Sequence, residues 1–244
     1  MPADRKELSV NYQFNTNLDW SSVEAEFDEH RRVRLENFLA PESARALFRS
    51  MRDEVNYLQA YVDSRGNQEI SPETFQALSP EHKRKLMSAV YGQAAEGVGF
   101  WYGRHGIDQD SPGPVRDFLD WFNSEALFER IHRLSGAEDV RSVSGQVTRF
   151  LPGDFLTRHI DDVGDEGRRV AYVMNLSPDW HPDWGGLLQF FHPDGRPRDA
   201  WTPLYNSLCL FDVRHVHSVT CLAPFARQPR LAISGWFRRA PRSS

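Results

Sequence analysis

Two cysteines, three lysines and no long apolar run mark what this 244-residue chain goes without. Cys209 and Cys221 lie in apolar stretches with no CxxC-type spacing. That excludes a cysteine-built metal site or a disulfide framework and predicts two small buried thiols in a reducing compartment. No stretch approaches the roughly 18 apolar residues of a membrane-spanning helix, and the opening MPADRKELSVNYQFN has no signal-like apolar segment. A cytoplasmic protein with no membrane partner is expected. The scarcity of lysine leaves arginine as nearly all of the 29 basic residues, set against 34 acidic ones for a net charge of −5. These arginines are scattered. They form no basic stripe of the kind that tracks a phosphate backbone, so no nucleic-acid partner is expected, and their abundance reads as composition bias.

What is present fits one sizeable core, since 40% of the chain is hydrophobic and single domains commonly reach this length. Residues 1–32 read as an irregular polar N-terminal segment and 33–244 as one domain, helix-rich over 33–139 and β-rich over 140–238. Val33 and Leu35 alternate with Arg34 and Glu36 as in a half-buried strand. Pro41 and Glu42 then open a helix with Ala44, Leu47, Phe48, Met51 and Val55 along one face. Ser71-Pro72-Glu73 and Ser79-Pro80-Glu81 are helix-start signals, the second leading to about Gln93. Val115, Phe118, Leu119 and Phe122 make a further apolar face, as do Leu127, Phe128, Ile131 and Leu134 before a terminating Gly136. From about Val140 short runs alternate with Gly, Pro, Asp and Asn clusters, and strands are expected at 145–151, 169–175, 187–191, 207–211, 217–222 and 231–237. This pattern predicts a mainly β protein: a double-sheet jelly roll, or double-stranded β-helix, with helices packed on one face.

The chemistry gathers in the β-rich part. His159 and Asp161 are two residues apart, and on an extended backbone such residues point to the same side, so one imidazole and one carboxylate can share a metal. Alone this pair is common by chance. A third ligand stands in Val216-His217-Ser218-Val219, 56 positions after Asp161, with His215 as its rival on the same strand face. Two histidines and one carboxylate on one face of an octahedron leave three positions open, the arrangement of non-haem iron(II) sites that bind a co-substrate and O2. Arg230, thirteen residues after His217 at the head of an apolar run, can grip a co-substrate carboxylate through the two parallel bonds of its planar fork. Arg149 and Arg169 are next in line for that task.

The order His159-x-Asp161, Arg168-Arg169 and a strand, Trp180, Gly185-Gly186-Leu187, Pro203, Asn206 to Phe211, His217-x-Val219 and Arg230-x-x-Ile233-Ser234-Gly235-Trp236-Phe237 resembles the prolyl-hydroxylase branch of the 2-oxoglutarate/iron(II) oxygenases. Within that branch it is similar to the enzymes that hydroxylate a proline of a ribosomal protein, and more loosely to the oxygen-sensing prolyl 4-hydroxylase-like enzymes. The resemblance covers about residues 140–238, and 35–55 also looks like the helix that opens such domains. It implies that His159, Asp161 and His217 ligate Fe(II) and that Arg230 binds the distal carboxylate of 2-oxoglutarate. It further implies O2 as second co-substrate, ascorbate as reductant, and a proline in a ribosomal or translation protein as substrate. Where relatives often carry a tyrosine before the Trp180 turn, this chain has Asn175, which could donate the same hydrogen bond, with Tyr172 nearby.

Several neighbours are weighed against these residues. The H-x-V spacing favours His217 over His215, Asp162 points away from Asp161 on an extended chain, and His181 and His192 fall in turn-rich, exposed sequence. Phe100-Trp101-Tyr102 is read as a core strand, with a substrate groove as the alternative. Other functions also stay open: oxidation of a free amino acid or another small molecule, a zinc hydrolase using the same three ligands, or a jelly-roll binding protein without catalysis.

Overall fold

The computed structural model describes residues 10–240; of the expected N-terminal segment and the following domain, positions 1–9 and 241–244 lie outside the described residues. Regular structure begins earlier than expected. Asp19 caps helix α1 (Trp20–His30) by accepting from the backbone N–H of Ser21 and Ser22, so the stretch read as irregular is partly helical. Its apolar stripe of Trp20, Val23 and Phe27 is too thin among charged residues to stand out as periodicity. Ahead of it, Tyr12 and Phe14 already pack against the core.

Helix α2 (Pro41–Asp53) buries Ala44, Leu47 and Met51. The hydroxyls of Ser71 and Ser79 accept backbone N–H groups at the starts of α3 (Pro72–Ala77) and α4 (Pro80–Ala95). Helices α5 (Gly113–Phe122) and α6 (Glu125–Ser135) turn their apolar faces inward, and Gly136 ends α6 with a φ of 72°. Among the described residues no helix is long and apolar enough to cross a membrane.

Twelve strands follow the chain as β1 (Arg32–Leu35), β2 (Leu58–Asp63), β3 (Gly66–Ile70), β4 (Phe100–Gly106), β5 (Val140–Phe150), β6 (Phe155–His159), β7 (Arg168–Asn175), β8 (Leu188–Phe191), β9 (Pro197–Trp201), β10 (Ser207–Asp212), β11 (His217–Val219) and β12 (Arg230–Arg239). Antiparallel pairing runs β1-β10-β7-β12-β5-β4-β6-β11-β8-β9, with the β2–β3 hairpin added beside β4. Strand β4 carries the ladder from β5 across to β6, and the sheet folds over on itself as the expected double-stranded β-helix. The part expected to be helix-rich therefore supplies four strands: β1 and β4 lie where strands are expected, and the β2–β3 hairpin is the addition. Leu58 to Asp63 carry no strand signal in the sequence because Ala60 to Asp63 are buried in succession and show no alternation. Strand β9 is a polar edge strand with little apolar signal, and β11 stops at Val219, short of the expected residue 222.

Strand alternation divides the side chains between two interiors. Val170, Tyr172 and Met174 on β7 join Leu231, Ile233 and Phe237 of β12 in the helix-side core. Ala171, Val173 and Ala232 face the other way, into the barrel, with Phe190, Cys209 and Phe211. Gly235 lies between Gly145 and Tyr172 in the ladder. A Cβ on Gly235 would sit 1.9 Å from the Ser144 carbonyl oxygen and 2.8 Å from the Tyr172 ring. Backbone cannot step aside as a side chain can, so Gly235→Ala is expected to destabilise the fold by about 1–3 kcal/mol or more. A denaturant midpoint shifted to lower concentration checks it. Gly92→Ala on exposed α4, where a Cβ meets nothing within 4 Å, is the comparison expected to stabilise slightly.

Candidate active site

His159 ends β6 and His217 begins β11, and the two are direct cross-strand partners. Asp161 lies two residues beyond His159, its backbone N–H bonded to the Val213 carbonyl at 2.9 Å. The three side chains converge: His159 Nε2 is 3.7 Å and His217 Nε2 3.5 Å from Asp161 carboxylate oxygens, and the two imidazole centroids are 4.2 Å apart. Their potential ligand atoms all lie within 4.8 Å of one another. Each imidazole is held in the same way. Nδ1 of His159 and of His217 bonds the carbonyl two residues earlier, Thr157 and His215 respectively, at 2.9 Å. A carbonyl only accepts, so each Nδ1 carries the proton and each Nε2 keeps its lone pair turned to the common point. Burial, followed by the neighbouring His159, pushes the His217 pKa well below the usual imidazole range and so favours the neutral ring.

The rivals lie elsewhere. His215 packs edge-on against Phe190 with its buried Nε2 unpartnered, and it serves His217 through its backbone. Asp162, His181 and His192 are exposed. Cys209 is buried in the barrel, its thiol pushed up to about 12 by burial, whereas Cys221 is exposed, contrary to expectation, because it follows the end of β11.

The triad opens on a cavity of about 280 Å³. The Phe100-Trp101-Tyr102 run is the expected strand, and alternation sends Phe100 and Tyr102 to the cavity wall and Trp101 to the opposite face against Tyr61 and Phe75. Deep in the same cavity lies Arg230, 2% exposed and above the Phe150 ring at 5.3 Å. Its Nε is buried without a hydrogen-bond partner, and among the described residues no carboxylate pairs with it. Desolvation lowers its pKa to about 10. A buried guanidinium without a counter-charge is costly, and an anionic group arriving in the cavity would relieve that cost. Neither Arg149, stacked on Tyr57, nor Arg169, paired with Asp139, borders the cavity.

The two residues expected beside Arg230 differ from expectation. Tyr172 borders the cavity, but its ring packs with Phe122 and Phe237 in the helix-side core and its hydroxyl donates to the Ser144 carbonyl at 3.3 Å. Strand parity sets it on the wrong face to assist Arg230. Asn175 does adjoin Arg230, yet it accepts with Oδ1 from Nη2 at 3.3 Å, and its NH2 group donates to Ser207 Oγ and Cys209 Sγ. Its donors are engaged by Ser207 and Cys209, and Asn175 does not border the cavity.

Residues 145–238, a stretch that contains the triad and Arg230, match the model of the 2OG-Fe(II) oxygenase superfamily. The match is to that segment, which is less than half of the chain. Among curated proteins it is similar to Prolyl 3-hydroxylase OGFOD1 of Mus musculus, 31% identical over 128 residues, and of Xenopus laevis, 30% identical over 128 residues. Each match takes in 50% of this chain but only 21% and 23% of those proteins, so less than a quarter of their length is matched. Among solved structures, a Pseudomonas putida prolyl-4-hydroxylase superposes with a TM-score of 0.59 at 20% identity, covering 91% of this chain and 99% of that one. A Trichoplax adhaerens prolyl hydroxylase, solved with a peptide fragment of the hypoxia inducible factor oxygen degradation domain, gives 0.62 at 17% identity over 90% and 89% of the two chains. At these identities the likeness is one of fold.

Arg168 and Trp236, which stand in the sequence pattern without an assigned role, also border the cavity. The guanidinium of Arg168 lies 3.6 Å over the Trp236 ring, with Nη1 3.8 Å from Asp161 and the other side bonded to Glu166. Both residues line the cavity beside the triad. Trp236 was within reach of parity, since positions 230, 232, 234 and 236 alternate to one face.

Proposed function

We propose that this chain is an Fe(II)/2-oxoglutarate-dependent dioxygenase that hydroxylates a prolyl residue of a protein substrate. The observation that carries it is Arg230: a buried guanidinium lacking a counter-charge, in the same cavity as a His-Asp-His cluster. His159, Asp161 and His217 would hold the iron through two neutral Nε2 atoms and one carboxylate, a donor set that suits Fe(II) and leaves room for a bidentate co-substrate. The guanidinium gives no support to the zinc-hydrolase reading, which needs only the metal and its bound water. When bound, the metal and 2-oxoglutarate supply an oxidising step that couples decarboxylation to succinate and CO2 with insertion of one oxygen atom of O2 into a C–H bond.

The chain's own residues orient and shield. The carbonyls of Thr157 and His215 hold the two imidazoles in the ligating tautomer, Arg230 receives the distal carboxylate, and Phe100, Tyr102, Phe150 and Trp236 keep the cavity walls largely apolar. Ascorbate would serve as the external reductant. The unpaired thiols suit a reducing compartment, and the cytoplasm is the proposed location.

Proline is supported by the prolyl-hydroxylase activity of the similar curated proteins and by these aromatic walls, on which a flat, preorganised ring packs at small entropic cost. A ribosomal or translation protein is the proposed source. Supplied with free L-proline and with proline-containing peptides from ribosomal proteins and elongation factors, the enzyme is expected to add 16 Da, the mass of one oxygen, to a peptide. Succinate should form slowly until that peptide is present. Coupled hydroxylation of free proline, with none on any peptide, would overturn the peptidyl reading.

A further inference from the structure

The amide of Asn175 is fixed at both ends. A guanidinium only donates, so the group facing Arg230 Nη2 is Asn175 Oδ1. On the other side Ser207 Oγ donates to the Leu204 carbonyl at 2.8 Å and accepts from Asn175 Nδ2 at 3.3 Å, with Cys209 Sγ at 3.5 Å from the same nitrogen. The register that makes this possible pairs Ser207 directly with Asn175 across β10 and β7. Asn175 is 1% exposed and takes no part in lining the cavity, so it stands behind Arg230 and not beside the co-substrate.

We propose that Asn175 is a positioning residue, held by Ser207 and Cys209, that aims the Arg230 fork at the distal carboxylate of the 2-oxo acid while leaving its positive charge unneutralised. This rests on the oxygenase reading given above. The choice of a neutral amide follows from what Arg230 must do. An aspartate at 175 would orient the guanidinium equally well but pair with it permanently and compete with the incoming carboxylate. An apolar side chain would leave the fork free to turn within its pocket. A specificity consequence also follows: Asn175 acts on the affinity for a dianionic 2-oxo acid and hardly on that for a monoanionic one of the same chain length.

The test is calorimetric titration of the full chain loaded with Mn(II), using 2-oxoglutarate and, separately, 2-oxopentanoate, which lacks the distal carboxylate. Asn175→Asp is expected to weaken 2-oxoglutarate binding about 10- to 100-fold, the range for loss of a charge-assisted contact, with Mn(II) content and 2-oxopentanoate affinity unchanged. Asn175→Leu should weaken it severalfold, and Ser207→Ala, the mildest change and the one least exposed to folding failure, should weaken it in the same selective way. Variants that bind 2-oxoglutarate within twofold of the wild type would overturn the proposal. So would equal losses for both acids together with lost Mn(II), because these report general damage to the site. A wild-type chain that takes up Mn(II) but binds no 2-oxoglutarate would overturn the oxygenase reading itself, a result distinct from variants that merely match a binding wild type.

Discussion

His159→Ala, Asp161→Ala and His217→Ala are each expected to reduce turnover by more than about 100-fold, beyond the roughly 10- to 100-fold that loss of a residue behind a metal ligand commonly costs. The cluster is small enough that each removal strips one of three donors converging within 4.8 Å. His215→Ala behaves differently. It keeps the backbone carbonyl that fixes His217 Nδ1, and its ring faces Phe190, so iron content and most of the activity should survive. Metal content measured beside succinate formation checks all four variants. A His215→Ala protein that loses iron and activity, next to a His217→Ala protein that retains both, would reverse the assignment of the third ligand.

Arg230→Lys is expected to raise the apparent requirement for 2-oxoglutarate by about 10- to 100-fold while leaving iron content near that of the wild type. Lysine keeps the charge but loses the planar fork, and with it the two-bond grip on a carboxylate and the geometry that Asn175 secures. The KM for 2-oxoglutarate and bound iron are measured side by side. Arg149→Lys and Arg169→Lys serve as comparisons, because those side chains lie on Tyr57 and Asp139, away from the cavity, and should leave the KM alone. An unchanged KM in Arg230→Lys would mean that another group anchors the co-substrate.

The candidate site is legible in the sequence to the extent that it depends on strand alternation. His159 and Asp161 share a side because they are two apart, and Trp236 shares one with Arg230 because six residues separate them on one strand. The same rule sets Tyr172 and Asn175, three apart, on opposite faces of β7, so the two cannot both reach Arg230; the structure shows that Asn175 is the one that does. What alternation cannot supply is register between distant segments. That Ser207 lies opposite Asn175, or that His159 faces His217, follows from pairings over 32 and 58 positions, fixed by the whole ladder.

At the level of fold, helices with wide apolar faces, such as α2 and α5, read directly, and so do the six expected strands of the β-rich part. Missed elements share one physical trait, a weak amphipathic signal. Helix α1 carries a thin stripe among charges, β2 is buried along most of its length without alternating, and β9 is a polar edge. Cys221 departs from expectation for a related reason: its apolar neighbours suggest a strand that in fact ends two residues before it.

The most direct measurement of the central claim is stoichiometric: metal bound per chain, and succinate formed from 2-oxoglutarate, after the purified protein is reconstituted without oxygen with Fe(II) and then exposed to air with ascorbate. The account predicts one Fe(II) per chain, together with succinate formation that requires iron and falls to background in His217→Ala. A protein that holds zinc in preference and, once loaded with Fe(II), forms no succinate with any proline-containing peptide would contradict it.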